Sequence, residues 1–366
     1  MTEFIKKSTF TIILATLVLV SCNYNRYKTQ PDIWDNLDFK TNEPIKNMYA
    51  SPSELHLMTD DEFIRVGNQN QLIERRVFTD LPSHFYGRPS MSQYVFAWVV
   101  TQDYPNPAED PTVPGDESID VDRIELHLTK TEKSVYFRLD EFADDQGIIF
   151  KPEEFARYST AFNDTGDLFL LPTLNSTDDT YSFFLFDVKL NLNKTDFEGT
   201  GIVFNKRIDL PLDDIIEDIM NTSYVNGFFY VNTKSGTYRI DPNTGDYIVV
   251  HDTWTLNTFQ HGDNIYTTGI NEFDFSMSKD NGETFEQVGT SKLKYVEVAN
   301  DKVISQEQLG LAWHLADDDM LDIEELRVNK AFEDDGASYW NIKHFYGRYY
   351  ISIQKEVYFL EELETD

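Results

Sequence analysis

Apolar and polar residues alternate over short runs along most of this chain, and clusters of Asn, Asp, Gly, Pro and Ser separate the runs. Val, Ile, Tyr and Phe in such runs read as β-strands, because branched and aromatic side chains suit a pleated, half-buried surface. The clearest runs are Gln93 to Thr101 (QYVFAWVVT), Asp167 to Leu171, Tyr181 to Val188 (YSFFLFDV), Phe228 to Asn232 and Tyr349 to Ile353. Long stretches of helical periodicity are missing. Two short helices are expected as decorations. One is Pro211 to Met220, with Pro at its start, Asp213 and Asp214 in its first turn and Leu212, Ile215, Ile216 and Ile219 on one face. The other is Asp319 to Val328.

The strands recur as a unit of strand, polar turn and strand. Phe228 to Asn232 leads through Lys234-Ser235-Gly236 to Thr237 to Asp241, then through Asn243-Thr244-Gly245 to Tyr247-Ile248-Val249. Glu54 to Leu57 leads through Asp60-Asp61 to Phe63 to Val66. Asn264-Ile265-Tyr266 leads to Phe273 to Met277, and Arg348 to Ser352 leads to Glu356 to Phe359. Part of a propeller blade is written this way. Residues 46–366, divided by about 45 residues per blade, give seven. The expected fold is therefore all-β, a seven-bladed β-propeller.

The run Ser278-Lys279-Asp280-Asn281-Gly282-Glu283-Thr284-Phe285 resembles the Asp-box, S-x-D-x-G-x-T-W, of the BNR repeat of sialidases and of many non-enzymatic propellers. Phe stands here for the final Trp. In that hairpin the Asp280 carboxylate would accept backbone N–H bonds, Gly282 would supply a positive φ, and Phe285 would pin the loop to its blade. Ser278, Asp280, Gly282, Thr284 and Phe285 are thus structural residues and carry no catalysis. Asn243-Thr244-Gly245-Asp246-Tyr247 is at most a degenerate relative, and an ordinary acidic hairpin with Asn-Gly at its tip is the alternative reading.

At the amino terminus, Lys6 and Lys7 precede the apolar run Phe10 to Val20, too short to span a bilayer of about 30 Å as a helix. Leu19-Val20-Ser21-Cys22 then resembles the bacterial lipobox. The resemblance implies that residues 1–21 are a signal peptide and that Cys22 carries lipid. Residues 22–45 would then be a polar tether and residues 46–366 one domain. An ordinary secretory signal with an incidental cysteine is the plainer alternative. The lipid reading anchors the chain in the bacterial cell envelope, at the outer membrane. Cys22 is the single cysteine, so intrachain disulfides, thiolate metal sites and cysteine nucleophiles are excluded. The 64 acids against 31 bases, a net charge of −33, argue against nucleic acid, which needs a basic surface to displace counterions. They also mean that lipid, rather than the protein surface, must hold this body at an anionic membrane.

Catalytic strings are sparse. The Phe-Arg-Ile-Pro signature of sialidases is missing, and its nearest match, Phe137-Arg138-Leu139-Asp140, lacks the proline. Paired acids such as Asp60-Asp61, Asp144-Asp145 and Asp178-Asp179 are frequent, and adjacent loop acids are mostly turn caps or solvated faces. The acidic stretch Glu109 to Asp122 (EDPTVPGDESIDVD) is the place where calcium could bind. No other cofactor is expected. The histidines His56, His84, His127, His251, His261, His314 and His344 each sit alone in their segments. Trp98, Trp254, Trp313 and Trp340 fall in different blades. Trp254 and Trp340, next to turns, are the candidate binding aromatics. These observations favour a lipid-anchored, non-catalytic binding or scaffold module for an envelope protein or glycan. The rival is a propeller glycosidase acting on envelope or extracellular polysaccharide.

Overall fold

The computed structural model describes residues 35–361 apart from 80, 83, 105–118, 140–141, 143–159, 176–179, 213–218, 270–274, 290–294, 300–301, 308–309, 317–322 and 329–340. Cys22, Trp340 and most of the stretch Glu109 to Asp122 lie outside the described residues. The rest form seven four-stranded antiparallel sheets.

The first sheet is β2 (Asn47–Ala50), β3 (Leu55–Met58), β4 (Glu62–Val66) and β5 (Leu72–Val77), and the second is β6 (His84–Met91), β7 (Val95–Tyr104), β8 (Ile119–Leu128) and β9 (Ser134–Arg138). The third holds β10 (Ala161–Phe162), β11 (Leu168–Asn175), β12 (Thr180–Leu190) and β13 (Phe197–Asp209). The fourth holds β14 (Ile219–Val225), β15 (Phe228–Thr233), β16 (Thr237–Ile240) and β17 (Tyr247–His251). The fifth is β18 (Thr255–His261), β19 (Asn264–Gly269), β20 (Phe275–Ser278) and β21 (Glu286–Gly289). The sixth is β22 (Tyr295–Ala299), β23 (Lys302–Glu307), β24 (Gly310–Ala316) and β25 (Ile323–Val328). The seventh joins β26 (Asn341–Phe345), β27 (Arg348–Ile353) and β28 (Glu356–Glu361) to β1 (Asp35–Asn36) from the start of the chain.

The first strand of each sheet touches the first strand of the next, in the cyclic order β2, β6, β10, β14, β18, β22, β26 and back to β2. This is a β-propeller. Its ring is closed by β1, whose Asp35 and Asn36 pair with Phe359 and Tyr358. Leu37 N–H then donates to Val357 O (2.9 Å) and Ile45 N–H to Gln354 O (2.7 Å), with both side chains buried. Residues 35–45, expected as tether, are therefore part of the body. The second helix expectation is corrected, because Ile323 to Val328 form β25 in register with Leu311 to Ala316; of the first, residues 213–218 lie outside the described residues, and Ile219 and Met220 open β14.

Packing between sheets explains why the alternation is so regular. In the first sheet Leu55, Leu57, Ile64 and Val66 point one way and pack against Phe345, Tyr350 and Val357 of the seventh. In the second, Val95, Ala97, Val99, Ile124, Leu126 and Leu128 face Phe169, Leu171, Phe184 and Phe186 of the third. Leu170, Phe183 and Leu185 of the third meet Phe229, Val231 and Ile240 of the fourth. Inner strands such as β3, β4 and β15 are buried on both faces, so they need an apolar residue at most positions, whereas the outer strands β5, β9 and β17 are largely exposed.

Candidate functional site

A four-stranded antiparallel sheet that starts at the axis returns the chain to the end from which it left. The turns between second and third strands and the passages to the next sheet therefore share one face of the ring. The turns between first and second and between third and fourth strands share the other.

On the first of these faces, the turn Thr233–Gly236 lies beside the passage Asp252–Trp254. Thr233 Oγ1 accepts from Ser235 N–H and Gly236 N–H at 3.1 Å each, which closes the turn. Gly236 is required there, because a Cβ would fall 2.1 Å from His251 O. The turn carries the Lys234 ammonium over the Trp254 ring, 5.7 Å from its centroid, a cation–π arrangement. Trp254 is half-buried, and its indole N–H, shielded from solvent, has no acceptor among the described residues. His251 lies below it, with Nε2 3.0 Å from Ser276 Oγ and Nδ1 2.9 Å from Thr253 Oγ1. Trp254 is thus held at its turn by a charged neighbour, with its N–H turned inward and part of its ring exposed. A partly exposed ring beside an ammonium group suits an amphipathic ligand that stacks on the ring. Trp98, by contrast, is buried within the first seam.

The Asp-box-like turn is on the opposite face. Asp280 Oδ1 accepts from Thr284 N–H (2.9 Å), Glu283 N–H (3.1 Å) and Ser278 Oγ (2.7 Å), and Oδ2 accepts from Thr284 Oγ1 (2.6 Å). These bonds, the one from the Thr284 hydroxyl first, hold the Asp280 carboxyl far below the usual range. Asn281 and Gly282 have φ of 61° and 77°. Phe285 packs against Val225, Tyr230 and Ile265, so it pins the turn to the fourth sheet as well as to its own. The sequence offered no sign that Asn226 would donate to Asn281, or that the Tyr230 hydroxyl would fill the place of a Cβ on Gly282. On the same face, Asn163 Oδ1 accepts from Leu168 N–H (3.0 Å) in the turn that holds Asp164. The Asp164 carboxyl is pushed upward by partial desolvation, and burial first, then the Asp164 charge, raises the Tyr49 and Tyr224 phenols.

One cluster was not foreseen. In the first sheet Tyr49, His56, Arg65 and Glu74 stand directly opposite one another on successive strands. Arg65 Nη2 donates to Glu54 Oε1 (2.7 Å) and Nη1 to Glu74 Oε2 (2.6 Å). Arg76 bridges Glu74 (3.0 Å) and Leu128 O of the second sheet (3.0 Å). Across the seam Glu125 takes a bond from Arg123 and lies 3.4 Å from His127 Nε2, as Glu54 lies 3.3 Å from His56 Nε2. Between the two histidines runs a chain of ring contacts: His56 edge-on to Phe63 at 5.4 Å, then Phe63 stacked on Phe96 at 4.6 Å and Phe96 on His127 at 5.0 Å. The signal was present, since Glu-Leu-His-Leu occurs at 54–57 and again at 125–128. His56 and Glu54 are both moved down, His56 by burial and Glu54, to about 2, by hydrogen bonds from His56 and Arg65. Burial works against Glu125, yet bonds from His127 and Arg123 still lower it. Among the described residues no group of three or more His, Cys, Asp or Glu is arranged to hold a metal ion.

No protein-family model matches this chain and no curated protein matches it. Solved structures do. The extracellular domain of a B. thetaiotaomicron protein described as a hybrid two-component system is similar over 89 % of this chain and 39 % of its own, with 10 % identity and a TM-score of 0.50. The WD40 domain of Neurospora crassa Pan2 is similar over 91 % of this chain and 97 % of its own, with 10 % identity and a TM-score of 0.48. The β-propeller domain of the Trilobed protease from Pyrococcus furiosus is similar over 73 % of this chain and 78 % of its own, again with 10 % identity and a TM-score of 0.43. At these identities the likeness concerns the fold.

Proposed function

We propose that this chain is a non-catalytic binding or scaffold module of the bacterial cell envelope. In this reading it is a seven-bladed propeller of the Asp-box type, held at the outer membrane through lipid on Cys22. Its partner is an envelope protein or a glycan, received on the face around Trp254 and Lys234. The observation that carries the reading is the half-exposed Trp254 ring, fixed beside the Lys234 cation on the face that also holds the turn Thr233–Gly236. The described carboxylates support it: Glu54, Glu74, Glu125, Asp187, Asp196, Asp280 and Glu356 are all moved downward by ion pairs or turn bonds, the opposite of what a general acid needs. The Asp280 geometry supports the Asp-box assignment.

The test is a photo-crosslinking residue at Thr253, placed in the full-length chain and activated in intact cells. A discrete protein or glycan adduct that disappears with Trp254→Ala supports the reading; the same adduct with Trp254 replaced removes it. Asp164 favours the second reading, a propeller glycosidase, because its pKa lies in the direction of an acid catalyst. Release of reducing ends from envelope polysaccharide, abolished by Asp164→Asn, would establish that activity instead.

A further inference from the structure

The outer edges of the sheets differ in how they are guarded. An edge strand offers a row of free backbone donors and acceptors, and natural sheets usually blunt it with charges, proline or a bulge. β5 exposes Leu72, Ile73 and Val77, but Glu74, Arg75 and Arg76 interrupt them. β17 holds no Asp, Glu, Lys, Arg or Pro, and its one irregularity is a bulge at Val250, where Thr237 pairs with His251 and Tyr238 with Val249, after the apolar run. Tyr247, Ile248 and Val249 are consecutive and 36, 42 and 53 % exposed, and among the described residues β17 pairs with β16 alone. Consecutive residues of a strand point to opposite sides, so the apolar surface covers both sides of the edge as well as the edge itself. Exposed carboxylates bracket it: Asp246 precedes the strand and Asp252 follows it, on a chain whose net charge is −33.

We infer that β17 is a docking edge for an extended, lysine- or arginine-flanked segment of a protein partner, which adds to the fourth sheet as a fifth strand. Main-chain bonds would supply the register, Ile248 and Val249 the apolar contact, and Asp246 and Asp252 the selection for basic flanks. A second copy of this chain fits less well, because two such edges would bring four like charges together. The inference goes beyond the Trp254 face and does not depend on it.

The probe is a peptide of alternating Val and Thr with two Lys at each end, and its counterpart with Glu in place of Lys. Binding to the full chain is followed by fluorescence anisotropy and by hydrogen exchange. The expected result is saturable binding of the Lys peptide, at least tenfold weaker for the Glu peptide and weakened by salt, with new protection concentrated in residues 247–251. Ile248→Lys with Val249→Lys should lower the affinity at least tenfold. Both side chains are exposed, and a thermal melt checks that the variant folds. Should it not fold, the protection map of the unmodified chain decides alone. Equal binding of both peptides, protection centred elsewhere, or sedimentation showing that the chain pairs with itself through β17 would each overturn the inference.

Discussion

The two faces of the first sheet make opposite use of the same four strands. Toward the seventh sheet, β3 and β4 present Leu55, Leu57, Ile64 and Val66, all buried and all hydrocarbon. Toward the second sheet, the intervening positions present Glu54, His56, Phe63 and Arg65, with Glu74 and Arg76 from β5. One seam is held by packing and area, whose strength does not depend on protonation. The other depends on partners that must be ionised or neutral in the right combination. Burial of ion pairs is not in itself stabilising, since desolvation offsets the attraction, but removal of a single partner leaves a charge uncompensated. The period of two along a strand therefore lets one sheet carry a pH-indifferent and a pH-sensitive contact at once.

The largest effect should come from an apolar seam elsewhere in the ring, of the same kind as the one toward the seventh sheet. Phe184→Ala, in the seam between the second and third sheets, removes a fully buried ring and should cost about 4 kcal/mol in urea unfolding. The loss should be the same at pH 7.5 and at pH 4.5. Arg65→Ala should cost about 3 kcal/mol at pH 7.5, because Glu54 and Glu74 lose their shared partner. Unlike the first, that cost should shrink below pH 4.5, where Glu54 can protonate in the variant but remains ionised to about 2 in the intact network. The smallest effect tests a seam held by a turn. Gly282→Ala places a methyl 1.9 Å from the Tyr230 hydroxyl at a φ of +77° and should cost about 2 kcal/mol. Gly262→Ala, with φ +58° and open space around it, should cost less than half of that; equal losses would show that backbone strain, and not the contact with the fourth sheet, sets the value.

Much of the architecture was readable in the chain. Tyr181 to Val188 lies within β12, Phe228 to Asn232 within β15, and the turns at Lys234-Ser235-Gly236 and Asn243-Thr244-Gly245 separate the strands expected of them. These succeed because turn chemistry and period-two alternation are local. The helix expected at Asp319 to Val328 fails for the complementary reason. Ile323, Leu326 and Val328 suit a helix face and a strand equally well, and pairing with β24 decides between them. Asp35 and Asn36 have no strand-like composition and are extended because Tyr358 and Phe359 offer them an open edge, a partner more than 300 residues away. Of the candidate residues, Trp254 was legible as a turn aromatic, while its Lys234 neighbour was not, since the two meet only when the sheet folds. The ionic seam escaped because His56 and His127 are far apart in sequence, though each carries the same four-residue signature.

Hydrogen exchange at pH 7.5 and 5.5, corrected for the intrinsic rate at each pH, tests the contrast most directly. The folded chain keeps the buried His56 neutral, with a pKa below its ordinary value, so the unfolded or opened chain binds the extra proton first. Stability contributed by this group is complete above about pH 6.5 and declines as the pH falls. The expected result is a loss of protection in β3, β4 and β8, which meet at the ionisable seam, with β11 and β12 unchanged. Equal loss in all of these strands, or none, would contradict the assignment of pH sensitivity to that seam.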